Sequence, residues 1–287
     1  MVKSGHASPV TRFGFSNPER PRLGVEVLDF ATLRRRSPPD MLAAVHRTDF
    51  HQLFLFTGGT GTMTVDFVDH PVAAGTLLYV CPGRVLRLPR PSTVDALMVL
   101  YTESFPPQLP ALLDPFSPIS WTVPDHSLRR AVLELKSEYR RAVAEPESVI
   151  TVELLRQLLG ALLLRIRRLP NAGEIPAKDE TFHRFQHEVE RSFATTRNAS
   201  DYAARVGYSL RSLNRLCQAA TGDTAKALID ARVALEAKRL LVHTDLPVAT
   251  IGHRLGFTEP TNFGKFFTRE TGLTPGAFRD TSVAPSG

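Results

Sequence analysis

Four side chains in the C-terminal third of the chain have the chemistry to read nucleic-acid bases. Arg211, Asn214, Arg215 and Gln218 recur at i, i+3, i+4 and i+7, the spacing that collects residues on one face of an α-helix. Arginine presents a two-pronged donor that suits guanine N7 and O6. Asparagine and glutamine match donor and acceptor to adenine N6 and N7 in the major groove. The stripe holds no acid, which separates it from an ordinary solvated helix face. The complementary stripe, Leu213, Leu216, Cys217 and Ala220, repeats the spacing with apolar residues, so a core must lie behind this helix.

The elements that position this stripe occur twice. The stretch Arg205-Val-Gly-Tyr-Ser-Leu-Arg-Ser-Leu-Asn-Arg-Leu-Cys-Gln-Ala-Ala-Thr-Gly222 returns as Arg254-Leu-Gly-Phe-Thr-Glu-Pro-Thr-Asn-Phe-Gly-Lys-Phe-Phe-Thr-Arg-Glu-Thr-Gly272. Each copy reads as a short helix, a glycine (Gly207, Gly256), an aromatic and a hydroxyl residue. Those hydroxyls, Ser209 and Thr258, can cap the helix that follows, and Thr-Gly closes it. Helix, tight glycine turn, helix is the helix-turn-helix pattern. In the second copy the core stripe becomes Phe263, Phe266 and Phe267, and Pro260 suits the first helical turn. Its outer stripe is Thr261, Gly264, Lys265 and Thr268, with Asn262 beside it. The first helix is therefore expected to discriminate bases and the second to contribute more contact with the DNA backbone.

Between the copies, Thr224 to His243 reads as one helix, with Leu228, Val233, Leu235, Ala237, Leu240 and Leu241 as its apolar set. A rigid helix there would hold the two units at fixed separation. Both can enter one face of a duplex when their recognition helices lie about 34 Å apart.

Composition frames this reading. A chain of 287 residues has room for two domains, and a hydrophobic fraction of 43% is that of a globular protein. The net charge of +6 suits a polyanionic partner. Residues 178–287 carry 15 Lys/Arg against 12 Asp/Glu and residues 1–177 carry 20 against 17, so bulk charge does not locate the binding surface. Cys81 and Cys217 stand far apart without a paired spacing, which fits a reducing cytoplasm rather than a disulfide framework or zinc site. Met1 to Arg20 is polar and lacks the apolar core of a signal peptide. The longest apolar run, Leu158 to Leu164, is about a third of a membrane span, so it is read as a buried helix and no membrane partner is expected.

From Val25 to Leu100, short apolar runs alternate with Gly, Pro and Asp. Leu53–Phe56, Met63–Phe67, Thr76–Val80 and Ala96–Leu100 read as strands, with turns at Gly58–Gly61, Ala74-Gly75 and Pro82-Gly83. Closely spaced short strands of this kind point to a small sandwich or barrel. Residues 125–169 are helical in pattern, with Leu128, Val132, Leu135 and Tyr139 on one face and a second helix from Val149 to Leu169. This pair either covers the sheet or forms a dimer seam. Residues 170–178 have linker chemistry.

The strand and turn order resembles the cupin-type sensing domain of bacterial regulators. Metal-holding cupins use a His-x-His pair and a third histidine after the Pro-Gly turn. Here His46 takes the first place, Thr48 the second and Leu86 the third, with Gln52 where a carboxylate would stand, so no metal is expected. Strand alternation points His46, Gln52, Phe54 and Leu86 inward, as filling or as the wall of a ligand pocket. Arg34-Arg35-Arg36 reads as a solvated turn or an anion contact.

Residues 178–280 resemble the DNA-binding domain of the AraC/XylS family of transcriptional regulators. The resemblance rests on Ala203-Ala-Arg-Val-Gly-Tyr-Ser209, Arg215-Leu-Cys217, Glu236-Ala-Lys-Arg-Leu-Leu241, Ala249 with Ile251 and Arg254-Leu-Gly-Phe257. It continues through Phe263, Phe266-Phe267, Thr271-Gly272 and Thr274-Pro-Gly-Ala-Phe278. Asp201-Tyr202 departs from it, where the family carries an apolar residue. The resemblance implies two tandem helix-turn-helix units on a linker helix, with DNA contact at the positions of Arg211, Asn214, Arg215, Thr261 and Lys265.

The expected fold is α+β. An N-terminal cupin-like β-barrel with covering helices would occupy residues 1–169 and serve sensing or dimerisation. A linker would span 170–178, and an all-α domain of two helix-turn-helix units joined by a linker helix would occupy 179–287. The expected function is sequence-specific transcriptional regulation, as an activator. DNA contact is assigned to Ser209, Arg211, Asn214, Arg215, Gln218, Thr258, Thr261, Asn262, Lys265 and Thr268. The partners expected are double-stranded DNA and RNA polymerase, with a small-molecule effector and a second copy of the chain as further candidates. The alternative is a cupin enzyme or a DNA-repair methyl acceptor fused to such a domain. Cys217 in a helix core and Cys81 in an apolar context lack the charged neighbours of a reactive thiol, so no catalytic residue and no cofactor are assigned.

Overall fold

One long strand organises the N-terminal half because alternate residues along it are buried on opposite faces. In this computed structural model, which describes residues 11–38, 41–42, 44–89, 93–107, 113, 119–123, 126–146, 148–169 and 180–283, that strand is β4 (His51–Val65). Around it lie β1 (Thr11–Phe13), β2 (Val25–Asp29), α1 (Phe30–Arg36), β3 (His46–Thr48), β5 (Val68–Ala73), β6 (Thr76–Val80), β7 (Val85–Arg87), β8 (Val94–Tyr101) and β9 (Ser120–Thr122). The first half of β4 pairs with β6 and β8, and its second half with β5 and β7. The order β1-β3-β7-β4-β6-β9 is an open path, with β5 and β8 also on β4 and β2 on β8. Among the described residues the sheet does not close, so the closed cupin-like barrel expected from turn placement is not what the ladder forms.

The two halves of β4 join at a register shift between Phe56 and Gly58. Gly58 to Gly61 therefore lie within the strand, contrary to the turn expected there. Gly59 explains the misreading: its φ is +74°, and a Cβ would stand 2.0 Å from the Thr93 carbonyl oxygen. The glycines serve a bend and a close backbone approach rather than a reversal. The actual reversal is Asp66-Phe67, with φ of 49° and 69° and Val65 paired to Val68. A two-residue hairpin wants left-handed backbone at both central positions. Here the Asp66 carboxylate holds it by accepting from the Val85 N–H at 3.1 Å.

Alternation sends Phe54, Phe56, Leu78, Val80, Leu86 and Met98 into an apolar cluster with Met63 and Val65 from the second half. The opposite face, Leu53, Leu55, Leu77, Tyr79, Val99 and Tyr101, packs under α2 (Ser127–Ala144) and α3 (Val149–Arg167). Leu128, Val132, Leu135 and Tyr139 are all buried there, as their spacing predicts. Arg34 to Arg36 form the last turn of α1 rather than a solvated turn, and Arg36 binds Glu26 at 2.6 Å and Glu19 at 2.7 Å.

The chain divides into two compact units, one within Thr11–Glu174 and the other within Ile175–Gly287. The linker expected at 170–178 lies outside the described residues. The second unit is all helical: α4 (Glu180–Ser192), α5 (Ala199–Val206), α6 (Leu210–Thr221), α7 (Ala225–His243), α8 (Val248–Arg254), α9 (Pro260–Thr271) and α10 (Pro275–Val283). No helix among the described residues is long and apolar enough to cross a membrane. Asp201-Tyr202 fits this unit well. Tyr202 is fully buried and donates to the Thr196 carbonyl at 2.9 Å, while Asp201 accepts from Thr196 and Asn198.

Beneath α2 and α3, His51 stacks between Tyr79 and Tyr101, with ring centroids 5.9 and 4.7 Å away, and its Nδ1 is 2.8 Å from the Tyr79 hydroxyl. Burial holds the His51 pKa down at about 4. An unfolded histidine titrates near 6.5, so between those values the unfolded chain binds more protons and stability falls as pH drops through that window. The N-terminal unit should lose up to about 3 kcal/mol between pH 6.5 and 4. Denaturation followed by the single tryptophan, Trp121, measures this. His51→Gln should flatten much of the slope, and an unchanged slope would assign the loss elsewhere, beginning with buried His46, whose pKa is also lowered by burial.

Candidate nucleic-acid interface

Helix α6 is cut to length by its own sequence. Ser209 caps it, its Oγ accepting from the Ser212 N–H at 3.1 Å, and Gly222 closes it in the left-handed conformation. Gly207 ends α5 with φ of +81° and lets the chain reverse between the two helices. Leu213 and Cys217 are fully buried behind α6, and Leu216 and Ala220 pack partly against the same core. Burial pushes the Cys217 thiol up to about 11, the opposite of an activated nucleophile.

With that face buried, the opposite face is fixed in the open. Arg211, Arg215 and Gln218 are exposed, and among the described residues their side chains make no hydrogen bond or ion pair. Asn214 differs. It is half-buried, and its Oδ1 accepts from the Ala225 N–H at 3.1 Å, at the start of α7. Thr224 caps the same helix through the Ala227 N–H. Asn214 thus ties α6 to the linker helix, with its amide NH₂ left as a donor.

The second unit is built the same way on an aromatic core of Phe257, Phe263, Phe266 and Phe267. Gly256 marks its turn for a steric reason: with φ of +77°, an added Cβ would lie 2.6 Å from the Ala194 carbonyl oxygen. Thr258 is exposed but does not cap α9, contrary to expectation. Glu259 occupies the cap position without a side-chain bond, and Pro260 opens the helix at a position where the missing N–H costs nothing. Thr261, Asn262, Lys265 and Thr268 are exposed, and the Thr268 hydroxyl donates back to the Gly264 carbonyl at 2.9 Å.

Two residues of this face were not singled out from the sequence. Glu259 is exposed at the helix start, and an acid there can accept from a cytosine amino group. Arg269 lies four residues beyond Lys265 and is exposed, which a longer stripe would have included. Its Nη2 is bound to Asp230 at 3.0 Å.

Helix α7 holds the two units together. Ala225 and Ile229 belong to the first core, and Val233, Ala234, Ala237 and Leu241 to the second. Leu235, read as apolar contact, is half-buried and in neither core, whereas Ile229 is fully buried. Arg232 clamps α4 to α7 by binding Glu190 twice, at 2.6 and 2.7 Å, and lies over the Phe193 ring at 3.9 Å. Buried Asp230 accepts from Lys226 and Arg269, so α9 is pinned to α7. Arg197 covers the Phe257 ring at 3.5 Å.

The predicted ligand residues sit elsewhere, in the first unit. Phe54 and Leu86 fill the apolar cluster. His46 pairs across the ladder with Leu86 and contacts the Ala44 carbonyl at 3.1 Å, and buried Gln52 donates to the Thr48 hydroxyl at 2.8 Å. Among the described residues no three His, Cys, Asp or Glu side chains are grouped to hold a metal.

Residues 202–281 match the helix-turn-helix domain family. The transcriptional activator RhaS of Escherichia coli O139:H28 is 27% identical over 239 residues, covering 80% of this chain and 85% of that protein. RhaS of Shigella dysenteriae serotype 1 matches to the same extent. Among solved structures, a regulator with an AraC-type DNA-binding domain from Chromobacterium violaceum is 22% identical, over 37% of this chain and 96% of that one, with a TM-score of 0.35. ToxT from Vibrio cholerae O395 is 12% identical over 83% of this chain and 91% of that one, with a TM-score of 0.45. The domain match and the relatives coincide with the paired helix-turn-helix units, and together they support a DNA-binding transcriptional regulator of the AraC/XylS type.

Proposed function

We propose that this regulator is a cytoplasmic activator that reads an asymmetric site with two helices of unequal discrimination. The observation that carries this is the unpaired Arg211, Arg215 and Gln218 face of α6, set on the same linker helix as the plainer face of α9. Arg211, Arg215 and Gln218 take the base-reading roles. Asn214 donates from its amide while bracing α7, and Ser209 contacts DNA only beside its capping bond. On α9, Lys265 pairs with a phosphate, and Thr258, Thr261, Asn262 and Thr268 line the groove. The activator assignment follows the relatives, which are named activators, and it requires contact with RNA polymerase.

The proposed division is residues 1–169 for sensing and dimerisation, 170–178 as linker and 179–287 for DNA. A cupin-like character of the first unit is supported by its strands on either side of the turns at Ala74-Gly75 and Pro82-Gly83. The polar trio His46, Thr48 and Gln52, buried beside Phe54 and Leu86, is the proposed place for a small-molecule effector. A second copy of the chain is the proposed partner of α3. Ile150, Leu154, Gln157, Ala161 and Leu164 follow each other at alternating steps of four and three, the repeat of a helix-to-helix seam. Ile150 is 83% exposed and Leu154 46%.

Selection of targets from random DNA should return two sequence blocks with centres about 34 Å apart, one helical turn. Arg215→Ala should lose roughly 1–3 kcal/mol of specific binding and relax one position of the α6 block. Lys265→Ala should instead lower the salt dependence by about one unit of log–log slope without changing the motif. A single block, or an unaltered motif and affinity in Arg215→Ala, would defeat the assignment. For the seam, Leu154→Glu should turn a dimer into a monomer in light scattering, with target selection retained. A wild-type chain that is monomeric at micromolar concentration removes the second-copy proposal.

A further inference from the structure

Arginines crowd one end of the helical hairpin in the first unit. Helices α2 and α3 have 18 and 19 residues, about 27 and 28 Å at ~1.5 Å per residue. They pack on each other and are joined by a short loop, so they run antiparallel and their ends are level. The start of α2, with His126, Arg129 and Arg130, therefore lies beside the end of α3, with Arg165, Arg167 and Arg168. All five arginines are exposed, and among the described residues none has a side-chain hydrogen bond or ion pair. Glu134 is the one acid among residues 126–134 and 161–169. His126, Arg129, Arg130 and Leu133 rim an open cleft of about 520 Å³.

A structural role accounts for only half of this cluster. Cations at the end of α3 complement the helix dipole, but Arg129 and Arg130 in the first turn of α2 oppose it, and no acid stands in that turn. An external anion would reverse that penalty. The patch offers five guanidinium groups around two exposed leucines, Leu133 and Leu164, and that density of cations suits the phosphates of a nucleic acid. Arg168 also stands twelve residues before Glu180, where α4 of the DNA-binding unit begins. Covalent connection over so short a stretch raises the effective concentration of DNA held by the second unit for a phosphate-binding surface on the first.

We propose that Arg129, Arg130, Arg165, Arg167 and Arg168 form an auxiliary surface that docks on the phosphate backbone of DNA flanking the site read by α6 and α9. The inference rests on the DNA-binding function. Its test uses the duplex that the full chain selects from random DNA, either trimmed to the specified bases or extended by about 15 base pairs on each side, roughly one and a half turns. Affinity is measured from about 50 to about 200 mM salt for wild type, R129Q/R130Q and R165Q/R167Q/R168Q.

Wild type should bind the extended duplex more tightly and with a steeper salt slope. Each variant should lose that advantage, with the slope falling by about 0.9 per phosphate contact removed. Binding to the trimmed duplex should not change, which also shows that the variants are folded. Equal slopes for all three proteins on the extended duplex would overturn the proposal, as would an equal loss on both duplexes or an extended-duplex advantage that persists in the variants. A wild-type chain that selects no sequence at all would instead count against the sequence-reading function.

Discussion

Helix α7 is buried in two hydrophobic cores at once, and the DNA-binding unit depends on that sharing. Its first turns complete the core behind α6, and its later turns complete the aromatic core behind α9. Neither recognition helix can move far along α7 without opening a cavity in its own core, and close-packed interiors resist that strongly. The polar contacts act in the same direction. Arg232 fastens α4 to α7 with a paired bond to Glu190, and Asp230 fastens α9 to it through Arg269. At ~1.5 Å per residue the 19 residues of α7 span about 28 Å, of the order of one turn of the duplex.

Given that scaffold, the unequal chemistry of the two outer faces acquires a meaning. On α6 the long polar side chains of Arg211, Arg215 and Gln218 make no ion pair among the described residues, while the residue that could have been a fourth reader, Asn214, is partly given to the joint with α7. On α9 the face is short and sparse, Thr268 is turned back onto its own helix, and the larger cation Arg269 is held by Asp230. Position is specified more rigidly on the second unit and base chemistry more richly on the first.

The N-terminal unit solves a different problem with the same economy. One bent strand serves two sheet halves, so a single apolar cluster lies between them and a second lies beneath the helical hairpin. Glycine makes the bend possible, and an aspartate rather than a glycine stabilises the hairpin that follows. The hairpin of α2 and α3 then carries outward-facing apolar residues along α3, with arginines that make no ion pair among the described residues gathered at one end.

Local rules were enough for much of this protein. The two helix-turn-helix units, the Ser209 cap, the closing glycines, the buried faces of α2 and α6 and the strand Thr76–Val80 all follow from period, cap chemistry and turn residues, which act within a few positions of the chain. What escaped those rules was decided by contacts between distant residues. Gly58 to Gly61 has the composition of a turn, yet it bends a strand because Thr93 packs against it. Asp66-Phe67 lacks that composition, yet it turns because Val85 satisfies the aspartate. Thr258 has the chemistry of a cap and is not one, Asn214 has the chemistry of a base reader and is half a strut, and Arg269 is tied to a buried acid 39 residues away. Residue type sets what a side chain can bond, but which bonds are already taken is known only once the chain has brought its distant partners together.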